Sequence, residues 1–272
     1  MLKEKIGIIG AGKIGSAILR GVIGAGLVDK SEVIASAPRE AVRQGLAREL
    51  AIKVTADNAE ACDFADIVIL TVKPQIVQPV LKDVAKRLGR NKLLVSVAAG
   101  VSTSKIETYL EKGARVVRVM TNTPCVVGAA ASGYSPGSHA TQEDLEKVGT
   151  ILKSVGIALP LEERHLDAVT GLSGSGPAYV FLFIESLADG GVQVGLSRDV
   201  ALKLALQTVY GSAKMALESG KHLGQLRDEV TSPGGTTIAG LYALEKGGMR
   251  GTVMEAVLQA SYRSQTLGKG EP

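Results

Sequence analysis

Aromatic side chains are scarce: six Tyr, three Phe and no Trp among 272 residues. So few rings leave little surface for nucleobases to stack on, which argues against a nucleic-acid partner. An excess of one charge is missing too. The 31 Lys and Arg against 27 Asp and Glu leave a net +4, too small and too dispersed for a polyanion-binding face, though mildly favourable to small anions. Cysteine is limited to Cys62 and Cys125. They form neither a CxxC pair nor a disulfide framework, as expected in a reducing compartment, and both read as small core residues. The three histidines, His139, His165 and His222, stand at no metal-ligand spacing, and there is no GxSxG serine. Metal-assisted hydrolysis and serine-triad chemistry therefore lack their residues, and no metal is expected. Long hydrophobic runs are absent as well. The uncharged stretches 119–142 and 168–184 are interrupted by Gly, Ser, Thr or Pro, so neither reads as a membrane span. A strand-like run starting at Lys5 leaves no room for a secretion signal, and the expected location is the cytoplasm.

Glycine is plentiful, at 33 residues, within a chain that is 45% hydrophobic and 21% charged, the composition of a globular protein. Residues 5–9, 32–35, 67–72, 93–97 and 116–120 are nearly continuous in Ile, Val and Leu, as in parallel strands covered on both faces. Amphipathic stretches at 16–25, 39–50, 75–88 and 104–111 lie between them, the last opening with Ser104 and Glu107 at capping-box spacing. This alternation predicts a Rossmann-like, doubly wound α/β domain over residues 1–162. Beyond Pro160 the pattern is helical, at 165–172, 177–188, 197–219, 236–246 and 252–267. Pro177 suits a first turn, Ser197 an N-cap, Gly220 and Gly247 stops, and Thr252 with Glu255 a capping box. An all-α domain over 163–272 follows. Residues 178–187 are apolar nearly all the way round, more than one neighbouring face would cover, so a homodimer or larger oligomer formed through this helical domain is expected.

The first strand runs into Gly10, Ala11, Gly12, Lys13, Ile14 and Gly15, a GxGxxG turn opening a helix. The first Gly permits the tight turn, the second admits a pyrophosphate, and the third lets helix and strand pack closely. In this strand-to-helix context the motif predicts dinucleotide binding. Where an NAD enzyme carries an acid after the second strand, this chain has Ser36 and Ala37. Arg39, backed by the Ser36 hydroxyl, offers a forked cation to a 2′-phosphate, so NADPH is expected to be preferred, with NADH possible. The competing reading is an exposed helix-start arginine. Thr71, Val72, Lys73 and Pro74 follow one strand, and Ala98 and Ala99 another, both at carboxyl ends where open α/β sheets bind ligands. Asn58 reads equally as a ribose or phosphate contact and as an N-cap.

In the helical half, residues 230–238 place Ser232, Pro233, Gly234, Gly235, Thr236 and Thr237 before a helix. The turn offers backbone N–H groups, hydroxyls and a positive dipole end, a cradle suited to a carboxylate; a plain helix-start loop with a threonine cap is the alternative. Residues 171–177 superficially resemble a phosphate loop but lack its Gly-Lys-Ser/Thr ending, and read as close helix packing.

Taken together, IGIIGAGKIG, VKPQ, VSVAAGVS, MTNTP at 120–124, DAVTGLSGSGPAY at 167–179 and EVTSPGGTT at 229–237 resemble the pyrroline-5-carboxylate reductases over essentially the whole chain. GxGxxG is shared with many dehydrogenases, whereas GLSGSGPAY and TSPGGTT are specific to this family. The resemblance implies hydride transfer from NAD(P)H to the C=N bond of 1-pyrroline-5-carboxylate, giving L-proline in the last step of proline biosynthesis. It assigns Ile9 to Ile14, Asn58, Thr71 to Pro74, Val97, Ala98 and Ala99 to the dinucleotide. Ser232, Gly235, Thr236 and Thr237 are assigned to the substrate carboxylate and ring nitrogen, and Glu163 to a carboxylate near the substrate. Glu229, where some relatives carry an Asn, is left outside the site. Thr237 is the candidate donor to the ring nitrogen; no strong general acid is required, because a basic imine can arrive protonated. Two other readings share the layout. One is a β-hydroxyacid or 6-phosphogluconate type dehydrogenase, for which Lys214 is the nearest helical lysine; the other is a non-enzymatic NAD(P)-binding sensor.

Overall fold

In the computed structural model, which describes residues 2–269, the Ile- and Val-rich runs become the inner strands of one sheet. Its eight strands are β1 (Ile6–Ile9), β2 (Val33–Ser36), β3 (Lys53–Thr55), β4 (Ile67–Leu70), β5 (Leu93–Ser96), β6 (Arg115–Met120), β7 (Ala130–Pro136) and β8 (Gly156–Pro160). They lie in the order β3-β2-β1-β4-β5-β6-β7-β8, and all pairs are parallel except β6 with β7. Every residue of β1, β2, β4 and β5 is buried, because helices cover both faces. The pleat sends alternate side chains to opposite cores. Ile8 joins Ile18, Leu19 and Ile69 on one face, while Ile9 joins Val68, Leu81 and Leu94 on the other.

The covering helices are α1 (Lys13–Gly24), α2 (Glu40–Leu50), α3 (Asn58–Phe64), α4 (Pro74–Val84), α5 (Thr103–Glu107) and α6 (Gln142–Lys153). Helix α5 is capped by Ser102, whose hydroxyl accepts from Lys105 N–H. The expected Ser104–Glu107 box does not form, since Glu107 accepts instead from Ser138 on a distant loop. The capping box that does form is Thr141 with Asp144, at the start of α6. Helix α6 escaped the sequence reading because Gly149 interrupts it. A Cβ there would come within 2.6 Å of the Tyr134 hydroxyl.

The chain divides into two compact units: one runs to Ser175 and includes the stretch from Leu258, and the other is Gly176–Val257. This division falls later than residue 163. Residues 163–175, containing α7 (Leu166–Val169) and a π-helical turn at Thr170–Gly174, remain with the sheet. Leu166 is fully buried there, and Arg118 of β6 pairs with Glu163 and Asp167. Gly174 packs against the terminal methyl of Met120, which would have to shift to admit a Cβ.

The second unit contains α8 (Gly176–Gln193), α9 (Arg198–Ser219), α10 (Leu223–Glu229), α11 (Thr236–Lys246) and the start of α12 (Met249–Lys269), as far as Val257. Helix α12 begins before Thr252, whose hydroxyl bonds back to Gly248 within the first turn, so Thr252 and Glu255 form no capping box. The core of this unit is small: Ile184, Ala188, Ala201 and Ala205, between α8 and α9. No helix among the described residues is long and apolar enough to cross a membrane.

Candidate active site

The carboxyl ends of β1, β2, β4 and β5 share one edge of the sheet, and the strand order reverses between β1 and β4. Doubly wound sheets bind ligands at such a switch point. There Gly10 adopts φ +87°, a conformation that only glycine takes without strain, and a Cβ on it would lie 2.6 Å from Val72. The N–H groups of Gly10 and Ala11 both donate to the Ser36 carbonyl, at 3.1 and 3.0 Å, and Thr71 Oγ1 donates to the Gly10 carbonyl at 2.8 Å. Gly15 lets α1 sit against the strand, since its Cβ would meet Thr71 Oγ1 at 2.6 Å. Gly12 differs from both. It is the N-cap of α1, it carries no capping side chain, and the nearest atom to an added Cβ is 3.8 Å away. Gly12 and Lys13 are exposed, so the uncapped start of α1 is open at this point, as pyrophosphate binding requires. The side chains of Ile9 and Ala11 are buried, so these residues can meet a ligand only through backbone.

At the far end of this cradle the structure revises the part given to Ser36. Its side chain is fully buried and its hydroxyl donates to Asn58 Oδ1 at 2.7 Å. Ser36 therefore cannot itself grip a 2′-phosphate; it holds Asn58 and supports the Gly10 turn from below. Asn58 is not the N-cap of α3, because Asp57 caps that helix by accepting from Ala59 N–H. The Asn58 amide N–H groups can still serve a ligand. Arg39 is exposed at the start of α2, with no ion pair among the described residues. One turn further on stands Arg43, which the sequence reading missed. It donates to the carbonyls of Ala37 and Pro38, at 2.7 and 2.8 Å, and braces the loop that carries Arg39. Its four-residue spacing from Arg39 at a helix start was the available signal.

Thr71 to Pro74 and Val97 to Ala99 follow β4 and β5 on the same edge. Pro74 opens α4, while Lys73 is its N-cap and is exposed. Val97 and Ala98 are buried and Ala99 is partly open, so close approach there would be to backbone.

In the helical unit, Gly234 takes φ +67° and Gly235 is the N-cap of α11, again without a side-chain cap. The expected alternative of a threonine cap is therefore not what forms. Ser232 Oγ folds over Gly235 so closely that a Cβ there would collide with it. The result is a serine hydroxyl, a threonine pair and uncapped helix N–H groups at one turn, chemistry suited to a carboxylate. Thr231 is not part of it, because its hydroxyl donates to the Arg227 carbonyl.

Glu163 stands elsewhere, in the sheet unit. Its carboxylate accepts from the N–H and hydroxyl of Thr103, at 2.7 and 2.5 Å, and lies 3.4 Å from Arg118. Glu229 pairs with Lys221 at 2.7 Å, and Lys214 is exposed beside Glu218. Burial pushes the Cys62 thiol up to about 12 and raises that of Cys125, so neither is a ready nucleophile.

The doubly wound sheet with a glycine turn at its switch point defines a Rossmann-class dinucleotide-binding protein. A family model described as pyrroline-5-carboxylate reductase dimerisation matches residues 163–267, and one described as NADP oxidoreductase, coenzyme F420-dependent, matches residues 5–100. The pyrroline-5-carboxylate reductase of Methanosarcina acetivorans is 50% identical over 99% of this chain and 100% of its own length. Among solved structures, that of the Coxiella burnetii pyrroline-5-carboxylate reductase has a TM-score of 0.92 at 34% identity, covering 98% of this chain and 99% of its own. The Plasmodium falciparum pyrroline carboxylate reductase with NADP bound has a TM-score of 0.88 at 37% identity, with the same coverage. This chain belongs to the pyrroline-5-carboxylate reductase family.

Proposed function

We propose that the chain reduces 1-pyrroline-5-carboxylate to L-proline with NAD(P)H, prefers NADPH, and works as a homodimer or larger assembly through its helical unit. The observation that carries this reading is the pairing of two uncapped helix starts in a chain matched end to end by these reductases: Gly12 at α1 and Gly235 at α11. The first suits a pyrophosphate and the second a carboxylate.

The dinucleotide supplies the hydride. The backbone from Ile9 to Ile14 holds the pyrophosphate, Asn58 the ribose or phosphate, and Arg39 the 2′-phosphate on a loop braced by Arg43. Residues 71–74 and 97–99 line the path of the nicotinamide half. Ser232, Gly235 and Thr236 grip the substrate carboxylate and orient the ring, and the Thr237 hydroxyl donates to the lone pair that appears on the ring nitrogen as hydride adds to the neighbouring carbon. A protonated imine has no such lone pair, so that bond forms only as the nitrogen becomes an amine and favours the transition state over the bound imine. Proper alignment makes up much of the catalysis, because a protonated imine carbon is already electrophilic.

The deciding assay follows the loss of reduced-cofactor absorbance with pyrroline-5-carboxylate, beside proline oxidation and β-hydroxyacid oxidation. Turnover with the imine is expected. Turnover with hydroxyacids alone, or cofactor binding without any turnover, would sink the reading.

A further inference from the structure

We infer that Glu163 is a positioning residue for the nicotinamide half of the dinucleotide, acting through Thr103 on the turn at residues 98–102; this rests on the reading of residues 97–99 as cofactor-facing. The turn joins β5 to α5, and Thr103 is the first residue after it. Both polar groups of Thr103 donate to the Glu163 carboxylate, the N–H at 2.7 Å and the hydroxyl at 2.5 Å. Arg118, with only 5% of its side chain exposed, stands behind that carboxylate at 3.4 Å and bonds Asp167 at 3.0 Å. A buried arginine needs a carboxylate partner, and Asp167 supplies the closer one. Glu163 makes its short contacts to Thr103 instead, so holding the end of the turn is its main role.

The same cluster fastens the turn from a second side. Asp167 accepts from Ser264 Oγ of α12 at 2.8 Å. The backbone of α12 at Ser264 and Gly268 lies 3.3 and 3.4 Å from where a Cβ on Gly100 would stand, with Gly100 at φ +72°. Beneath it, the side chains of Ala98 and Val101 are buried in the core. Ala99, Gly100 and Val101 border a cavity of about 330 Å³ that also touches Pro74, Gln75 and Leu267. With the core anchoring Ala98 and Val101 from within and open space on the outer flank, Glu163 at Thr103 and the end of α12 at Gly100 are the contacts that hold the turn on its remaining sides.

The test separates the two halves of the cofactor. NADPH and 2′-phospho-ADP-ribose, which lacks nicotinamide, are titrated in the absence of imine against the whole protein and its Glu163→Ala, Thr103→Val and Thr103→Ser variants. Glu163→Ala is expected to weaken NADPH about tenfold, a magnitude typical of residues that act through a neighbour, and to leave 2′-phospho-ADP-ribose within about twofold. Thr103→Val should move NADPH in the same direction, and Thr103→Ser, which keeps the hydroxyl, should restore it. Equal weakening of both ligands would overturn the inference by reducing Glu163 to general support of the fold. Unchanged NADPH affinity with a raised KM for the imine would overturn it by making Glu163 a substrate contact. If Glu163→Ala does not fold, the Thr103 pair decides alone. An unmodified protein inactive with pyrroline-5-carboxylate would count against the proposed reaction, whereas the two titrations report on the turn alone.

Discussion

The proposed choice of cofactor and ring comes down to single side chains. Arg39 offers its guanidinium at the place where an acid would exclude a 2′-phosphate, so Arg39→Ala should weaken NADPH and spare NADH. Loss of one charge-assisted contact at an exposed site is worth about 1.5 kcal/mol, roughly tenfold in Kd. Titration with both cofactors checks it, and equal loss for the two would remove Arg39 from the site. On the proposed mechanism, Ser232 and Thr237 differ in the stage at which they act. Thr237→Val should lower kcat by about a hundredfold, by analogy with oxyanion-hole donors, and leave cofactor affinity and melting temperature nearly unchanged. Ser232→Ala removes a contact present before and during hydride transfer, so it should chiefly raise KM for the imine. Steady-state kinetics on the two variants separate these effects; identical kinetic defects would show that the hydroxyls are not doing different jobs.

At the scale of elements, the strand-turn-helix joint at Gly10–Gly15 makes opposite demands on two of its glycines. Gly15→Ala drives a methyl into Thr71 and Ile8, at 2.6 and 3.0 Å, and should destabilise the fold by about 1–3 kcal/mol, as overpacking does. Gly12→Ala meets nothing closer than 3.8 Å at an unstrained φ of −79°. It should leave urea unfolding unchanged and still weaken both cofactors, since the methyl enters the phosphate space. A Gly12→Ala variant that bound NADPH normally would mean that the pyrophosphate lies elsewhere. The inner strands were legible because burial on both faces demands unbroken Ile, Val and Leu. Strands β3, β7 and β8 were not. β3 has three residues at the sheet edge, and β7 reads AASGYSP, with Ser132 buried only because Thr121 on the neighbouring segment bonds it at 2.8 Å. No one-dimensional pattern announces a serine that is satisfied by a residue eleven positions away.

For the whole molecule, the helical unit presents more apolar surface than its own core can use. Leu217, Met254 and Tyr242 are 83%, 72% and 69% exposed, and the buried set of that unit is small and alanine-rich. Faces of this kind mark contact with another chain. A second copy is the fitting partner, given the match to a dimerisation model over residues 163–267. Light scattering at micromolar concentration should give at least twice the mass of the chain, and thermal stability should rise with concentration. A well-folded monomer under those conditions would remove the homo-oligomer from the reading.

Sequence alone was enough for the dinucleotide cradle, the α/β-then-helical order and the turn at 232–237. Each is local: a glycine spacing, a hydrophobic period or a turn composition expresses its physics within a few residues. Tertiary structure decided what became of polar groups whose partners are distant in the chain. Ser36 read as a phosphate contact until burial turned its hydroxyl to Asn58, 22 residues on. Glu163 is placed by resemblance near the substrate, and what the sequence does not reveal is that its oxygens hold Thr103, 60 residues back. A buried hydroxyl or carboxylate must find a partner wherever the fold places one, and sequence spacing carries no record of that choice.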